Sequence, residues 1–423
     1  MPRWPVEMLN KRDLLKGFTC LGIAGASRGY ARNSNSERFP TVRSLITSMI
    51  GAGAFPGAIV AIGRGIGSPH YVSSGRISID GRLAVNRDSL FRIYSMTKPI
   101  TGMATMLLIA EGRLKLDQPV ADLIPSFANM RVLTAPDQGL QSRPAAAAMT
   151  IRHLLTHTAG LGGGPTMKKP LKLEYERLGL VQALRSRAER LEQTTPPVTS
   201  LAAYADALAR APLLADPGVA WSYSVGLDLL GRVIEVASGL SFEEFLKRRF
   251  FAPLGMTSTF FQVPASAKAR LASNYMGRGA SLVEIDPGPS SIFLDAPAFP
   301  SGGGGLVSTA HDYDRFLAML ANRGKLGGVE IMPPTAVAMG TSNLLPPAVN
   351  MRNYVGMPGV IGFGAGGSIC NHGGFNGLYG WMGAAGTIGF IVPSQQVRVT
   401  GLVNNMSVFD FAIGLARAAH ADL

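Results

Sequence analysis

Ser95 stands three residues before Lys98 in the stretch Phe91-Arg92-Ile93-Tyr94-Ser95-Met96-Thr97-Lys98-Pro99. Positions i and i+3 share a helix face, so a serine hydroxyl and a lysine amine at this spacing can meet. A desolvated lysine can give up its proton near neutrality and serve as a base. A serine beside such a base, at a helix N-terminus whose dipole favours developing negative charge, is an activated nucleophile. The chemistry would be acyl transfer through a covalent intermediate. S-x-x-K is a short pattern that also arises by chance, so its weight depends on its surroundings.

The element that must position the pair is a helix. Residues 100–116 have helical periodicity, with Met103, Met106, Leu107 and Ala110 on one face and a glycine stop at Gly112. Pro99 fits a first turn, where its missing N–H costs nothing. Ahead of it, residues 57–62 and 71–74 read as a β-hairpin around a Gly/Pro turn. Behind it, residues 117–127 read as a short helical or irregular connection and 134–149 as a surface loop. Thr150 caps a helix that runs into the glycine-rich loop after Ala159. His153 and His157 have the i, i+4 spacing of helical metal ligands. Metallohydrolases of that pattern need glutamate directly after the first histidine, where this chain has Leu154; no metal is expected, and His157 is read as ordering its loop.

Residues 165–195 form a basic amphipathic segment, read as a surface helix or lid. A helix over 227–238 stops at Gly239, and another starts at Ser241 with Glu243 and Glu244 in its first turn. Residues 264–300 read as loop. A glycine run, Ser301-Gly302-Gly303-Gly304-Gly305-Leu306, leads into a helix over 310–321; strand-like runs follow over 386–392 and 397–403, then a helix from Ser407. Strands at both ends with helices between predict an α/β chain of the α+β type. Its antiparallel sheet is built from both chain ends and flanked by helices, with a helical insertion. The sheet part covers about residues 39–140 and 300–423, the helical part about 150–299.

At 423 residues, 47% hydrophobic and only 16% charged, the chain is not intrinsically disordered. The net charge of +13 carries no nucleic-acid reading, because the basic residues are scattered and not interleaved with aromatics. No apolar run is long enough for stable membrane insertion. Residues 1–31 read as an export leader. Asn10-Lys11-Arg12-Asp13-Leu14-Leu15-Lys16 is similar to a twin-arginine signal with lysine for the first arginine, followed by a short apolar stretch and small residues near Ala26 and Ala31. Five basic and two acidic residues in the leader account for +3, leaving +10 on residues 32–423, a single catalytic domain. The leader also holds Gly25-Ala26-Ser27-Arg28-Gly29, a G-x-S-x-G without the strand–helix context that makes such a serine a nucleophile. Cys20 falls in the leader and Cys370 stands alone, so no disulfide framework is expected.

Three motifs then fall in order: Ser95-Met96-Thr97-Lys98, Tyr223-Ser224-Val225 and Trp381-Met382-Gly383. With them go Leu154-Leu155-Thr156-His157-Thr158-Ala159-Gly160-Leu161, Phe251-Ala252-Pro253-Leu254-Gly255-Met256 and Gly380-Trp381-Met382-Gly383-Ala384-Ala385-Gly386-Thr387. Over residues 39–419 the chain resembles the serine β-lactamases and penicillin-binding proteins, in particular the class-C-like carboxylesterases called family VIII. The resemblance implies that Ser95 is the acyl-accepting nucleophile, Lys98 the partner that takes or holds its proton, and Tyr223 the phenolic general base and acid, aided by the lysine's charge. It implies an oxyanion hole from the backbone N–H groups of Ser95 and Ala384, and a substrate wall from Trp381, Met382, Gly383 and Val225. It implies no cofactor.

Two residues depart from the lactamase pattern: Val225 replaces an asparagine amide, and Trp381 the lysine that meets a substrate carboxylate. Both losses favour neutral esters over anionic amides, with a small-molecule ester as the partner. The alternatives are a β-lactamase or D-alanyl-D-alanine peptidase, an acyltransferase, and a penicillin-recognising sensor that acylates without turnover. His372, near the third motif but outside it, is read as loop structure. The leader places the mature protein in the periplasm or outside the cell, beginning near Ser27 or Arg32; without a working leader it stays cytoplasmic. N-terminal sequencing that finds Met1 or Pro2 retained on cytoplasmic protein would overturn export.

Overall fold

Alternation along the first strand decides what surrounds the sheet. In β1 (Gly57–Arg64), Ala58, Val60 and Ile62 pack into one hydrophobic cluster, while Ile59 and Ala61 pack into another, so both faces are covered. The computed structural model describes residues 38–163, 167–180, 195–278, 281–351, 358–406 and 408–423. The leader over residues 1–31 and residues 181–194 of the basic segment lie outside them. Phe39–Leu423 forms one compact unit.

β1 pairs with β2 (His70–Gly75) as the hairpin expected from sequence. The other strands of the sheet come from the far end of the chain: β3 (Val360–Phe363), β4 (Ser368–His372), β5 (Phe375–Met382), β6 (Ile388–Val392) and β7 (Val397–Leu402). The seven-stranded order is β3-β4-β5-β6-β7-β1-β2, antiparallel throughout, with Ile59 opposite Leu402 where the two chain ends meet. The fold class read from sequence is therefore the one observed. β3 and β4 went unread because they are only 4 and 5 residues long and flank a glycine-rich turn, Gly364, Gly366 and Gly367, that reads as loop. His372 ends β4, its Nε2 3.0 Å from the Ile413 carbonyl, so it ties a strand to the last helix and is not loop structure. Two short hairpins also went unread: Ser142–Pro144, within residues read as loop, pairs with Arg131–Leu133 just ahead of them, and Asn274–Arg278 pairs with Ser281–Asp286 inside the 264–300 loop.

Six helices frame the site: α1 (Pro40–Gly51), α2 (Thr97–Ala110), α3 (Ile151–Leu155), α4 (Gly226–Ser238), α5 (Ala310–Ala321) and α6 (Phe409–Asp422). α1 and α6 pack together on one face of the sheet, and α5 lies across β1, β6 and β7 on the other. The N-terminus of α1 has no side-chain cap of its own. The Asp422 carboxylate, at the end of α6, accepts from the Thr41 and Val42 N–H groups at 3.1 and 2.9 Å, supplying negative charge where the helix dipole favours it. α5 is fastened to the sheet by a buried ion pair, Arg398 Nε to Asp314 Oδ1 at 2.8 Å. The rest of the guanidinium donates to the Gly65 and Gly67 carbonyls. No described helix is long and apolar enough to cross a membrane.

α2 departs from the one-faced helix its periodicity predicts. Every residue from Thr97 to Leu108 is buried, because α2 runs through the interior against α4, β5 and the helix Pro334–Gly340. Its closest approach is at Gly102, where a Cβ would stand 2.1 Å from the Ala365 carbonyl oxygen. Helix propensity alone favours alanine over glycine by about 1 kcal/mol. Packing must reverse that sign here, so Gly102→Ala is expected to lower Tm in a thermal melt. A higher Tm would show that the contact yields.

Candidate active site

Ser95 lies in a single tight turn, Tyr94–Met96, between the two-residue strand Phe91–Arg92 and α2. That strand pairs with Val307–Ser308, so the chain entering the serine turn is stitched to the chain leaving the glycine run. Tyr94 takes a left-handed conformation (φ 41°), unusual for a bulky residue. It is held there by packing edge-on against Phe293 and by the Asn274 amide, which donates to its hydroxyl at 3.0 Å.

The structure brings Ser95, Lys98 and Tyr223 together. Ser95 Oγ is 2.6 Å from the Tyr223 hydroxyl, and Lys98 Nζ donates to the same Oγ at 3.1 Å. Lys98, only 4% exposed, also donates to the Gly303 carbonyl at 2.5 Å and lies 4.6 Å from the centre of the Tyr223 ring. The serine hydroxyl thus has two proton-transfer partners within hydrogen-bond reach, as an activated nucleophile requires.

The Gly303 carbonyl is aimed by residues that sequence reasoning missed. Asp228 Oδ1, buried in the first turn of α4, accepts from Ser301 Oγ at 2.5 Å and from the Gly303 N–H at 3.0 Å. From α2, Thr101 Oγ1 donates to the Gly302 carbonyl at 2.8 Å, and Thr97 Oγ1 accepts from the Leu306 N–H at 3.2 Å. The available signal was an acid set in the apolar run 225–234, because such a carboxylate needs partners from elsewhere in the chain.

The third motif closes the site from β5. Gly383 touches the chain just ahead of the serine turn, for a Cβ there would be 2.4 Å from the Ile93 carbonyl oxygen. A tight turn follows, with Gly383 N–H donating to Thr387 O at 2.8 Å; the Ala384 N–H makes no hydrogen bond among the described residues. Trp381 stacks on Tyr223 (centroids 6.0 Å apart, 19° between planes), meets Phe363 edge-on and is 5% exposed; Met382 is half-buried. The indole therefore backs the tyrosine more than it faces the cleft. Val225 needs a correction. It is 3% exposed and packed in the core as the N-cap of α4, with its N–H on the Gly162 carbonyl, so it forms no part of an open substrate wall.

His153 and His157 part company because α3 ends at Leu155. His153 stays on the helix and closes a capping box with Thr150. His157 lies beyond the helix in a left-handed conformation (φ 58°), wholly buried, with Nδ1 3.0 Å from Ser224 Oγ and 3.2 Å from the Ser224 N–H. Burial first, and the Lys98 charge second, push its pKa well below the usual 6.5.

A family model described as Beta-lactamase matches residues 42–422. Protein Rv1367c of Mycobacterium tuberculosis is 31% identical over 377 residues, covering 86% of this chain and 89% of its own. Esterase EstB of Burkholderia gladioli is 33% identical over 259 residues, 57% of this chain and 60% of its own. Among solved structures, EstCE1, a hydrolase with promiscuous acyltransferase activity, superimposes with a TM-score of 0.75 at 26% identity, over 92% of this chain and 99% of that one.

Since the unfolded chain protonates His157 near pH 6.5 and the folded chain resists, this histidine allows full stability above that pH and subtracts from it as the pH falls toward the depressed value. The loss of Tm between about pH 7 and about pH 5 should be smaller in His157→Asn than in the unaltered protein. Equal losses would mean that His157 titrates alike in both states.

Proposed function

The chain belongs to the Beta-lactamase family, and from that premise we propose that it is a serine hydrolase that cleaves neutral carboxylic esters through an acyl-enzyme on Ser95. The observation that carries the reading is the Ser95 hydroxyl held 2.6 Å from Tyr223 and 3.1 Å from Lys98. Ser95 Oγ adds to the ester carbonyl as its proton passes to the Tyr223–Lys98 pair. The N–H groups of Ser95 and Ala384 receive the oxyanion. Collapse expels the alcohol, which takes the proton back from the pair, and water then repeats the sequence on the acyl-enzyme.

The preference for neutral esters rests on Trp381. Trp381 holds the motif position of the lysine that meets a substrate carboxylate in the lactamase pattern, and its indole, packed on Tyr223, brings no cation there; burying an unpaired carboxylate costs several kcal/mol. An alkoxide also leaves more readily than an amide nitrogen, which lowers the demand on leaving-group protonation. The names of EstB, an esterase, and of EstCE1, a hydrolase, support the same reading. EstCE1's promiscuous acyltransferase activity supports a second one, in which an alcohol replaces water as the acceptor.

Ser95→Ala should abolish turnover of p-nitrophenyl butyrate, while Ser27→Ala leaves it intact; a phosphonate adduct mapped to any other serine would sink the assignment. Lys98→Ala and Tyr223→Phe should each cost roughly 10²–10⁴-fold in kcat, and the double variant little more, since both serve one hydroxyl. Strictly additive losses would argue against a unit.

The kcat/KM for p-nitrophenyl butyrate should exceed that for nitrocefin by orders of magnitude. If nitrocefin equals the ester, the reading of Trp381 is wrong and a β-lactamase takes its place.

A further inference from the structure

We propose that His157 is a positioning residue that holds the Tyr223 hydroxyl against Ser95 by bracing the backbone on both sides of that tyrosine. The inference rests on Tyr223 acting in proton transfer, as proposed above. His157 accepts from both neighbours of Tyr223: its own carbonyl takes the Ser222 N–H at 2.9 Å, and its ring Nδ1 takes the Ser224 N–H at 3.2 Å. One residue further on, the Val225 N–H reaches the Gly162 carbonyl at 3.2 Å, so residues 222–225 are laid along the loop that His157 begins. The imidazole also lies against the phenol it braces, ring centres 4.8 Å apart, with Trp221 and Phe363 meeting its other sides edge-on.

Two features separate this role from plain core packing. First, the proton arrangement is determined. The Ser224 N–H, which can only donate, points at Nδ1 from 3.2 Å, so Nδ1 is the acceptor and the ring proton sits on Nε2. Among the described residues Nε2 is buried and finds no hydrogen-bond partner. A packing residue such as leucine would avoid that cost, so the ring is there for its acceptor nitrogen. Second, the left-handed backbone at His157 turns carbonyl and ring toward the same short segment, and histidine and asparagine are among the few side chains that tolerate this conformation. The groups facing the ring are the Ser224 hydroxyl, the Tyr223 phenol, Trp221, Phe363 and the charge of Lys98. A protonated ring would lose its acceptor and stand beside that charge.

The test compares His157→Asn, which keeps an acceptor and tolerates the backbone, with His157→Phe, which keeps the ring and loses the acceptor. With p-nitrophenyl butyrate, His157→Phe should lose about 100-fold or more in kcat with KM within about threefold, while His157→Asn stays within about tenfold of the unaltered protein. In a crystal structure of His157→Phe the Ser95–Tyr223 oxygen distance should exceed hydrogen-bond range. An unchanged distance, or a His157→Asn variant that folds normally yet is as slow as His157→Phe, would overturn the proposal. If His157→Phe does not fold, Ser224→Ala, which removes the hydroxyl beside Nδ1, should lower kcat about three- to tenfold at unchanged KM; an unchanged kcat would then overturn it. A protein that turns over no ester at all would refute the proposed function, while the distance comparison would still judge His157.

Discussion

Lys98 carries an amine into the interior, and the site is organised by the need to surround it. A buried nitrogen with protons to donate is costly unless each finds an acceptor. The partners here are the Ser95 hydroxyl, the Gly303 carbonyl and the face of the Tyr223 ring. Each comes from a different part of the chain and has to be held in turn. Asp228 and the α2 threonines hold the glycine run; the loop after α3 holds the segment carrying Tyr223. One polar group inside an apolar helix thus sets the arrangement of four segments around it.

Rigidity at Ser95 comes from close backbone approaches. Gly102 meets Ala365, Gly366 meets the Lys98 carbonyl, and Gly383 meets Ile93; in each case a Cβ would lie within 2.4 Å of a carbonyl oxygen. Interiors packed to that degree transmit displacement, so a shift of β5 or of the 364–367 turn reaches the serine directly. The left-handed Tyr94 belongs to the same device, since its strained backbone persists only because Asn274 and Phe293 hold the side chain.

Around the phenol, the structure substitutes aromatic surface for charge. Trp381, Trp221 and His157 all contact Tyr223, and Phe363 joins them from behind. His157 is kept neutral by burial and by the neighbouring lysine, which leaves Lys98 as the basic group at the centre of the site. These rings pack on the phenol by dispersion and carry no charge of their own.

Much of this was legible in the chain itself. Ser95 and Lys98 could be paired from spacing alone, because i, i+3 geometry is local, and a sheet built from both chain ends followed from where the strand-like runs fall. The ends of α4 at Gly239 and of α2 near Gly112 were equally plain, since capping is also local. What the sequence could not decide were facts of burial and long-range contact. Val225 and Trp381 read as a substrate wall from their place in the motifs; tertiary packing put Val225 in the core and Trp381 behind the tyrosine. β3 and β4 are short runs on either side of a glycine-rich turn and are strands because they pair with their neighbours. Asp228, Gly303 and His157 acquire their parts only through partners 67 to 205 residues away in sequence, and no local pattern encodes a contact that exists only once the chain has folded.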